Sequence, residues 1–217
     1  MAKQLPFEIE QSIKNLDFSN TTPLDEAHIL LLYNNLTEYL NLSDESKILN
    51  LVSEHQDCHT FLNQLEASVA TLTDSEVSTT KYDAVFSLFS DFYQHPAEPN
   101  KLLHQLSNSL NEYGLGVIDV FNAEKVLAEL KTEETKIING IELQIKNKYV
   151  NECIVREIQF EQDGSIYNFS SKSLALTLEN FENIMSSSDL FLLDVFGDYR
   201  LKKFYKNESE RLIMIFK

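Results

Sequence analysis

His55, Cys58 and His59 form the pattern H-x-x-C-H, which can place two or three soft metal ligands on one helical turn. A closed zinc site needs four ligands, and no second cluster completes the set, because the other cysteine, Cys153, is remote in sequence. A helix start with a buried cysteine accounts for the same residues, and no metal is expected. Asp91 and Asp119 each lie at the end of an apolar run. At the carboxyl ends of parallel strands such carboxylates contact substrate or cofactor; elsewhere they cap a helix or face water. His95, between Gln94 and Pro96, has the chemistry of a general base, but no carboxylate stands at a fixed spacing to orient it. Tyr199, beside Asp198, can line a cleft or simply pack. The chain has no glycine-rich phosphate loop, no serine nucleophile elbow and no paired-carboxylate motif, so catalytic residues stay unassigned.

The elements that must position these residues centre on residues 82–130. Residues 82–89 (YDAVFSLF) are apolar and rich in β-branched and aromatic types, which predicts a strand. After Pro96 and Pro99, Leu102, Leu103, Leu106 and Leu110 recur three and four apart, and residues 114–120 (GLGVIDV) turn apolar again. Strand, helix, strand follows. Runs apolar for most of their length imply a parallel sheet covered on both faces, with its crevice near Ser90, Asp91, Asp119 and Asn122. Residues 47–53, 57–66 and 68–73 predict a second strand, helix, strand unit. Only eight residues, 74–81, separate it from the first, too few for a crossover helix and another strand.

Before these units, Phe7, Ile9, Ile13 and Leu16 mark a short amphipathic helix. Thr22, Pro23 and Asp25 supply a cap, a first-turn proline and a returning carboxylate for a longer helix over residues 24–42, whose apolar stripe is wide enough to cover the sheet with some surplus. Asn122 can cap a helix through Val126. Beyond Glu134 the period becomes two: Ile141, Leu143 and Ile145 alternate with Glu142, Gln144 and Lys146, and Asn139-Gly140 and Asp163-Gly164 are hairpin turns. Residues 153–160 and 166–169 add strands to this antiparallel section, which has one wet face. Thr177 caps a helix from Leu178 to about Ser186, with Leu176 packing on Phe181. Residues 190–196 and 211–216 close the chain as strands joined by a loop, so they pair antiparallel.

The chain has 217 residues, with 34 acids against 18 bases for a net charge of -16. Residues 1–80 hold thirteen acids and three bases; residues 197–217 hold six bases and three acids. A body this acidic repels phosphate backbones, so nucleic acid can engage only a local patch, at Arg200, Lys202, Lys203 and Lys206, which is also read as a solvated loop. No apolar run reaches transmembrane length and residues 1–6 show no apolar signal region, so no membrane association is expected. Two isolated cysteines, Cys58 and Cys153, fit free thiols in a reducing compartment, which places the chain in the cytoplasm.

The run YDAVFSLFSDF at 82–92 resembles the fourth-strand segment of class I S-adenosylmethionine-dependent methyltransferases. GLGVIDVFNAEKV at 114–126 resembles their fifth strand and following helix, and SLALTLENFENIM with VFGDYRLKKFYKNESERLIMIFK resembles their carboxyl end. The resemblance covers most of residues 20–217. It implies an α/β three-layer sandwich: a mostly parallel Rossmann-like sheet, an antiparallel carboxyl-terminal edge strand and an antiparallel β insertion. One domain spans 1–217, with N-terminal helices over 5–42 and the insertion over 135–170. In that family the first strand runs into a glycine-rich turn that lets backbone approach the cofactor. Here the matching stretch, LNLVSEHQD at 49–57, contains no glycine, and Ser53, Glu54, His55 and Gln56 put side chains where the family has an open turn.

If the family site survives, the resemblance assigns cofactor contacts to Asn50, Ser53, Asp74 and Asp91, with Asp74 at the place of the acid that holds the ribose. The missing glycines and the short 74–81 interval instead imply a fold retained without normal cofactor binding, serving as a binding or scaffolding module. On that expectation no cofactor is bound; the alternative is an active methyltransferase that uses S-adenosylmethionine on a small molecule. The surplus apolar residues of 24–42, and an insertion face that needs cover, lead us to expect a protein partner or a homodimer.

Overall fold

The computed structural model describes residues 26–52, 68–73, 80–88, 99–188 and 190–217. The expected helices over 5–16 and 57–66, and the cap at Thr22, Pro23 and Asp25, lie outside these residues. Helix α1 (Glu26–Tyr39) is followed by strands β1 (Lys47–Val52), β2 (Ser68–Thr73) and β3 (Tyr82–Ser87). Helix α2 (Pro99–Ser109) leads into β4 (Leu110–Phe121), and α3 (Ala123–Glu129) into the hairpin series β5 (Glu133–Ile138), β6 (Ile141–Val150), β7 (Cys153–Gln162) and β8 (Ser165–Leu174). Helix α4 (Leu178–Ser187), β9 (Leu192–Phe196) and β10 (Arg211–Phe216) complete the fold.

The main sheet has the order β2-β1-β3-β4-β10-β9. Strands β1 to β4 are mutually parallel, and β10 runs antiparallel to both β4 and β9. Side chains alternate across it. Leu49, Leu51, Val85, Ile118, Leu212 and Met214 bury one face against Leu103 and Leu106 of α2 and Phe181 and Met185 of α4. Ile48, Ala84, Phe86, Val117, Ile213 and Ile215 bury the other against Ile29, Leu32, Tyr33 and Leu36 of α1. The result is three layers, helix, sheet, helix, as expected of a parallel sheet with two apolar faces.

Two boundaries differ from the sequence pattern for physical reasons. Helix α1 ends at Tyr39 rather than Leu42 because Asn41 adopts φ 53°, and the amides of Asn41 and Leu42 donate to the carbonyls of Glu38 and Thr37. That is a Schellman closure, which Asn tolerates better than other non-glycine residues. Leu110 continues the three-four spacing of α2 yet opens β4, where it lies opposite Tyr82. Local periodicity cannot separate the last turn of a helix from the first residue of a buried strand.

The second sheet is an antiparallel meander, β5-β6-β7-β8, extending from Glu133 to Leu174 and so beyond the 135–170 limits read from the pattern. Asn139-Gly140 (φ 51° and 79°) and Asp163-Gly164 (φ 50° and 70°) form the two-residue left-handed turns their types prescribe. Asn151-Glu152 makes a third without glycine, with φ 49° and 58°. Leu143, Ile145, Ile158 and Phe160 are buried on the inner face within the single chain. The outer face is wet, as the alternation predicts. Cys153 and Leu174 join the core of the main sheet, and Ile154 and Ala175 pack with Phe121 and Val126, so the meander is rooted at the ends of β7 and β8.

The closest packing between strands is at Gly116, which lies opposite Phe216. A β-carbon there would stand 2.2 Å from the Phe216 ring, which is fully buried and has no room to swing. Gly116→Ala should therefore lower stability by about 1–3 kcal/mol through overpacking. A urea titration followed by circular dichroism reads this as a lower midpoint at unchanged slope.

Candidate functional site

From β1 the chain moves outward to β2, whereas from β3 it moves the opposite way to β4, so strand order reverses between β1 and β3. In an open parallel sheet the ligand crevice lies beyond the carboxyl ends of the strands at that reversal. Asn50 sits there, opposite Phe86 and two residues beyond the Ile48–Ala84 pair that packs under α1. The residue is 2% exposed, and among the described residues neither its amide nitrogen nor its amide oxygen has a hydrogen-bond partner. Tyr33 descends from α1 onto the same place, its ring edge-on to Phe86 at 5.9 Å. The Tyr33 hydroxyl is also buried and unpartnered, and burial raises its pKa, so it is a neutral donor and acceptor throughout the ordinary pH range.

An amide buried without partners costs about 1–3 kcal/mol, and native chains keep such groups where something polar satisfies them in use. Asn50 and Tyr33 are therefore the candidate polar floor of a site at the β1/β3 crevice. Of the four cofactor positions implied by resemblance, Asn50 is the one on the described residues; Ser53, Asp74 and Asp91 lie outside them, as do Ser90, Glu54, His55, Gln56, Cys58, His59 and His95. Among the described residues no group of three or more His, Cys, Asp or Glu is placed to hold a metal ion, and Cys153 is a buried free thiol.

The carboxyl end of β4 is built differently. Asp119 neither caps a helix nor faces water: it is fully buried and accepts from Nε of Arg211 at 2.9 Å. The Arg211 guanidinium lies 5.6 Å from the ring centroid of Tyr199, whose carbonyl accepts from Nδ2 of Asn35 on α1 at 2.8 Å. The Tyr199 ring also lies 5.9 Å from that of His28. The position where an acid would meet substrate is thus occupied by a closed ion pair with an aromatic cover. Tyr199 is half-buried and packs its ring against Arg211 and His28. Sequence reasoning missed Arg211, Asn35 and Tyr33. For Arg211 a signal existed: it is the one charged residue opening the otherwise apolar run RLIMIF, and such a residue must find a counter-charge if the run is buried.

Asn122 performs the predicted cap, its Oδ1 accepting from the amide of Glu124 at 3.2 Å. Its Nδ2 also donates to the carbonyls of Lys206 and Ser209 at 2.7 and 2.9 Å, which ties the basic loop to the start of α3. Lys206 pairs with Glu124 at 2.7 Å, which raises its pKa, and Lys202 pairs with Asp198 at 3.7 Å. Lys203 lies 5.8 Å from the Tyr205 ring centroid. Lys202 and Lys206 are thus each paired with a carboxylate of the same chain, while remaining exposed.

No protein-family model matches the chain, and a search of curated proteins finds no significant match. Solved structures do match. An S-adenosylmethionine-dependent methyltransferase from Clostridium acetobutylicum ATCC 824 superposes with a TM-score of 0.66 at 17% identity, covering 90% of this chain and 92% of that one. The CcbJ methyltransferase from Streptomyces caelestis also gives 0.66, at 12% identity over 96% and 95%. The amino pentose methyltransferase CalS10 from Micromonospora echinaspora, solved with S-adenosylmethionine bound, gives 0.54 at 12% over 100% and 99%. The chain therefore has the class I methyltransferase fold. Tested against the cofactor that fold implies, the site divides: the unpartnered Asn50 amide fits a polar group at the crevice, while the Asp119–Arg211 pair offers no free acid at the end of β4.

Two substitutions separate these halves. Asn50→Leu keeps the volume and removes the unpartnered amide, so the protein without ligand should gain about 1 kcal/mol or more, read as a higher urea midpoint. Arg211→Met removes the cation that Asp119 accepts from and should cost about 3–5 kcal/mol, whereas Asp119→Leu combined with Arg211→Met should recover most of the loss. A double-mutant cycle in urea measures the coupling.

Proposed function

We propose that this methyltransferase-like protein is catalytically degenerate and works as a binding module, holding a small polar molecule at the β1/β3 crevice without transferring a methyl group to a substrate. The observation that carries this reading is the contrast across the carboxyl edge of the sheet: Asn50 has two unpartnered amide atoms, while Asp119 is sealed by Arg211. Binding capacity is kept at the strand reversal, and the acid at the next position is committed to the fold. The glycine-free stretch at 49–57 supports the same reading, because side chains at Ser53 to Gln56 compete with a cofactor for the turn. So does the eight-residue interval 74–81, which has no length for the helix and strand that flank the ribose side in the family.

The alternative is an active S-adenosylmethionine-dependent methyltransferase with an unusual cofactor loop. It is favoured by the match to enzymes of that kind over nine-tenths of the chain. In that case Asn50 would contact the cofactor from the floor of the crevice, and the bound molecule would supply the methyl group. On either reading we expect a cytoplasmic protein, from its two isolated cysteines.

Isothermal titration calorimetry with S-adenosylmethionine and with its demethylated product decides between them. The binding-module reading expects no micromolar binding of either. A dissociation constant in the micromolar range for either compound, abolished by Asn50→Leu, would establish the enzyme reading in its place.

A further inference from the structure

The sheet face under α1 is built from apolar side chains such as Ile48, Phe86, Val117 and Ile213. Among the described residues two buried polar sites interrupt it. One is the Asp119–Arg211 pair, in register with Ile213 and Phe121, whose opposite charges stand 2.9 Å apart and offset each other. His28, Asn35 and Tyr39 run along one stripe of α1 and meet Tyr199, Asp194 and Phe196, so the polar side chains of that stripe are turned to the carboxyl-terminal hairpin. The other site is Asn50, on the β1/β3 side.

Asn50 carries no charge and presents an N–H donor and a C=O acceptor side by side, both buried and without a partner among the described residues. Tyr33 adds a hydroxyl in the same condition, kept neutral because burial raises its pKa. Phe86 lies opposite Asn50 in register, with the Tyr33 ring edge-on to it at 5.9 Å, so flat aromatic surface borders the amide. A carboxylate or ammonium seated here would leave water without gaining an opposite charge from Asn50, Tyr33 or Phe86, and Arg211 and Asp119 already hold each other. A neutral amide edge, with N–H and C=O adjacent, satisfies both orphaned atoms of Asn50 at once through two parallel hydrogen bonds.

We infer that the molecule held at the β1/β3 crevice presents an uncharged carboxamide or ring lactam on a flat ring, paired edge to edge with the Asn50 amide and touched by the Tyr33 hydroxyl. The inference rests on the binding-module reading and names the chemical class of its ligand. The selectivity comes from an amide, rather than a carboxylate, at Asn50. In an Asn50→Asp variant the same edge becomes an acceptor alone with a negative charge, which suits a planar cation with two parallel N–H donors.

Benzamide, benzoate and benzamidinium share one flat ring and differ in charge, and titrating each into the full chain while following amide NMR shifts tests the assignment. Benzamide should bind with a dissociation constant of about a millimolar, as suits so small a ligand, and the two ions at least about tenfold more weakly. Asn50→Leu should weaken benzamide about tenfold or more, and Asn50→Asp should reverse the order in favour of benzamidinium, which a merely structural asparagine would not do. Tyr33→Phe removes one hydroxyl from the same floor and should weaken benzamide about threefold to tenfold without admitting the ions; it decides the matter if Asn50→Asp does not fold. An ion that binds the wild-type chain as well as benzamide does, no binding of benzamide, or benzamide binding that Asn50→Leu leaves unchanged would each overturn the inference. An ion held through Asn50 would do so while leaving the binding module standing, whereas micromolar S-adenosylmethionine binding in calorimetry is the result that overturns the module itself.

Discussion

The constraint on which the rest of the fold depends is the pairing of β10 with β4, sealed by Asp119 and Arg211. All six residues of β10 are buried, so the strand enters the middle of the sheet with no polar face to orient it. A slip of one residue would move Arg211 to the opposite face, against Leu103, Leu106, Phe181 and Met185 of the helices there, and would take its guanidinium away from Asp119. Either outcome costs several kcal/mol. The ion pair thus need add little net stability to choose the register. With the register set, Phe216 falls over Gly116, the one β4 residue that admits a ring there.

That register also decides where α1 rests. Tyr199 is carried to the α1 face by the loop that precedes β10, and its carbonyl receives Asn35 while its ring covers Arg211. At the other end of the helix, the Tyr39 hydroxyl donates to Asp194 of β9 at 2.8 Å, which raises the Tyr39 pKa, and its ring meets Phe196 edge-on. Two polar contacts to the carboxyl-terminal hairpin thus hold α1 across the sheet. The consequence is felt at the crevice, because Tyr33 stands two residues before Asn35 on the same helix and is delivered to Phe86 beside Asn50.

Much of this was legible in the sequence where the signal was local. The hairpin turns at Asn139-Gly140 and Asp163-Gly164, the caps at Asn122 and Thr177, and the parallel β3–α2–β4 unit follow from residue type and spacing alone. The Thr177 cap is a full capping box with Asn180. What was not legible depended on distant chain. Asp119 could be read as substrate-facing, a cap or a solvated acid because its partner lies in another strand, and the pairing of Lys206 with Glu124 likewise joins distant chain. The polar end of β8, Ser170 to Ser173, gave no strand pattern: the outer strand of a half-wet sheet is not obliged to be apolar. The role of Asn50 came from resemblance, and its unpartnered state could come only from knowing what packs above it.

Asn50 and Asp119 together show how this fold divides stability from binding. Both are polar residues set into a buried sheet, and each carries a desolvation cost that must be offset. For Asp119 the offset is internal, supplied by a strand that follows it far along the chain, so the carboxylate is part of the core and is spent on register. For Asn50 no internal offset is found among the described residues, although an apolar side chain of similar volume would pack against Phe86 and Ile48. A chain that gains nothing in stability from an amide at this point, and keeps a second unpartnered hydroxyl from Tyr33 beside the same ring, has placed donors and acceptors where a molecule entering between β1 and β3 would meet them. The two residues thus sit on opposite sides of one division: Asp119 is tied to the fold by Arg211, and Asn50 is the polar group at the crevice on which the proposed binding rests.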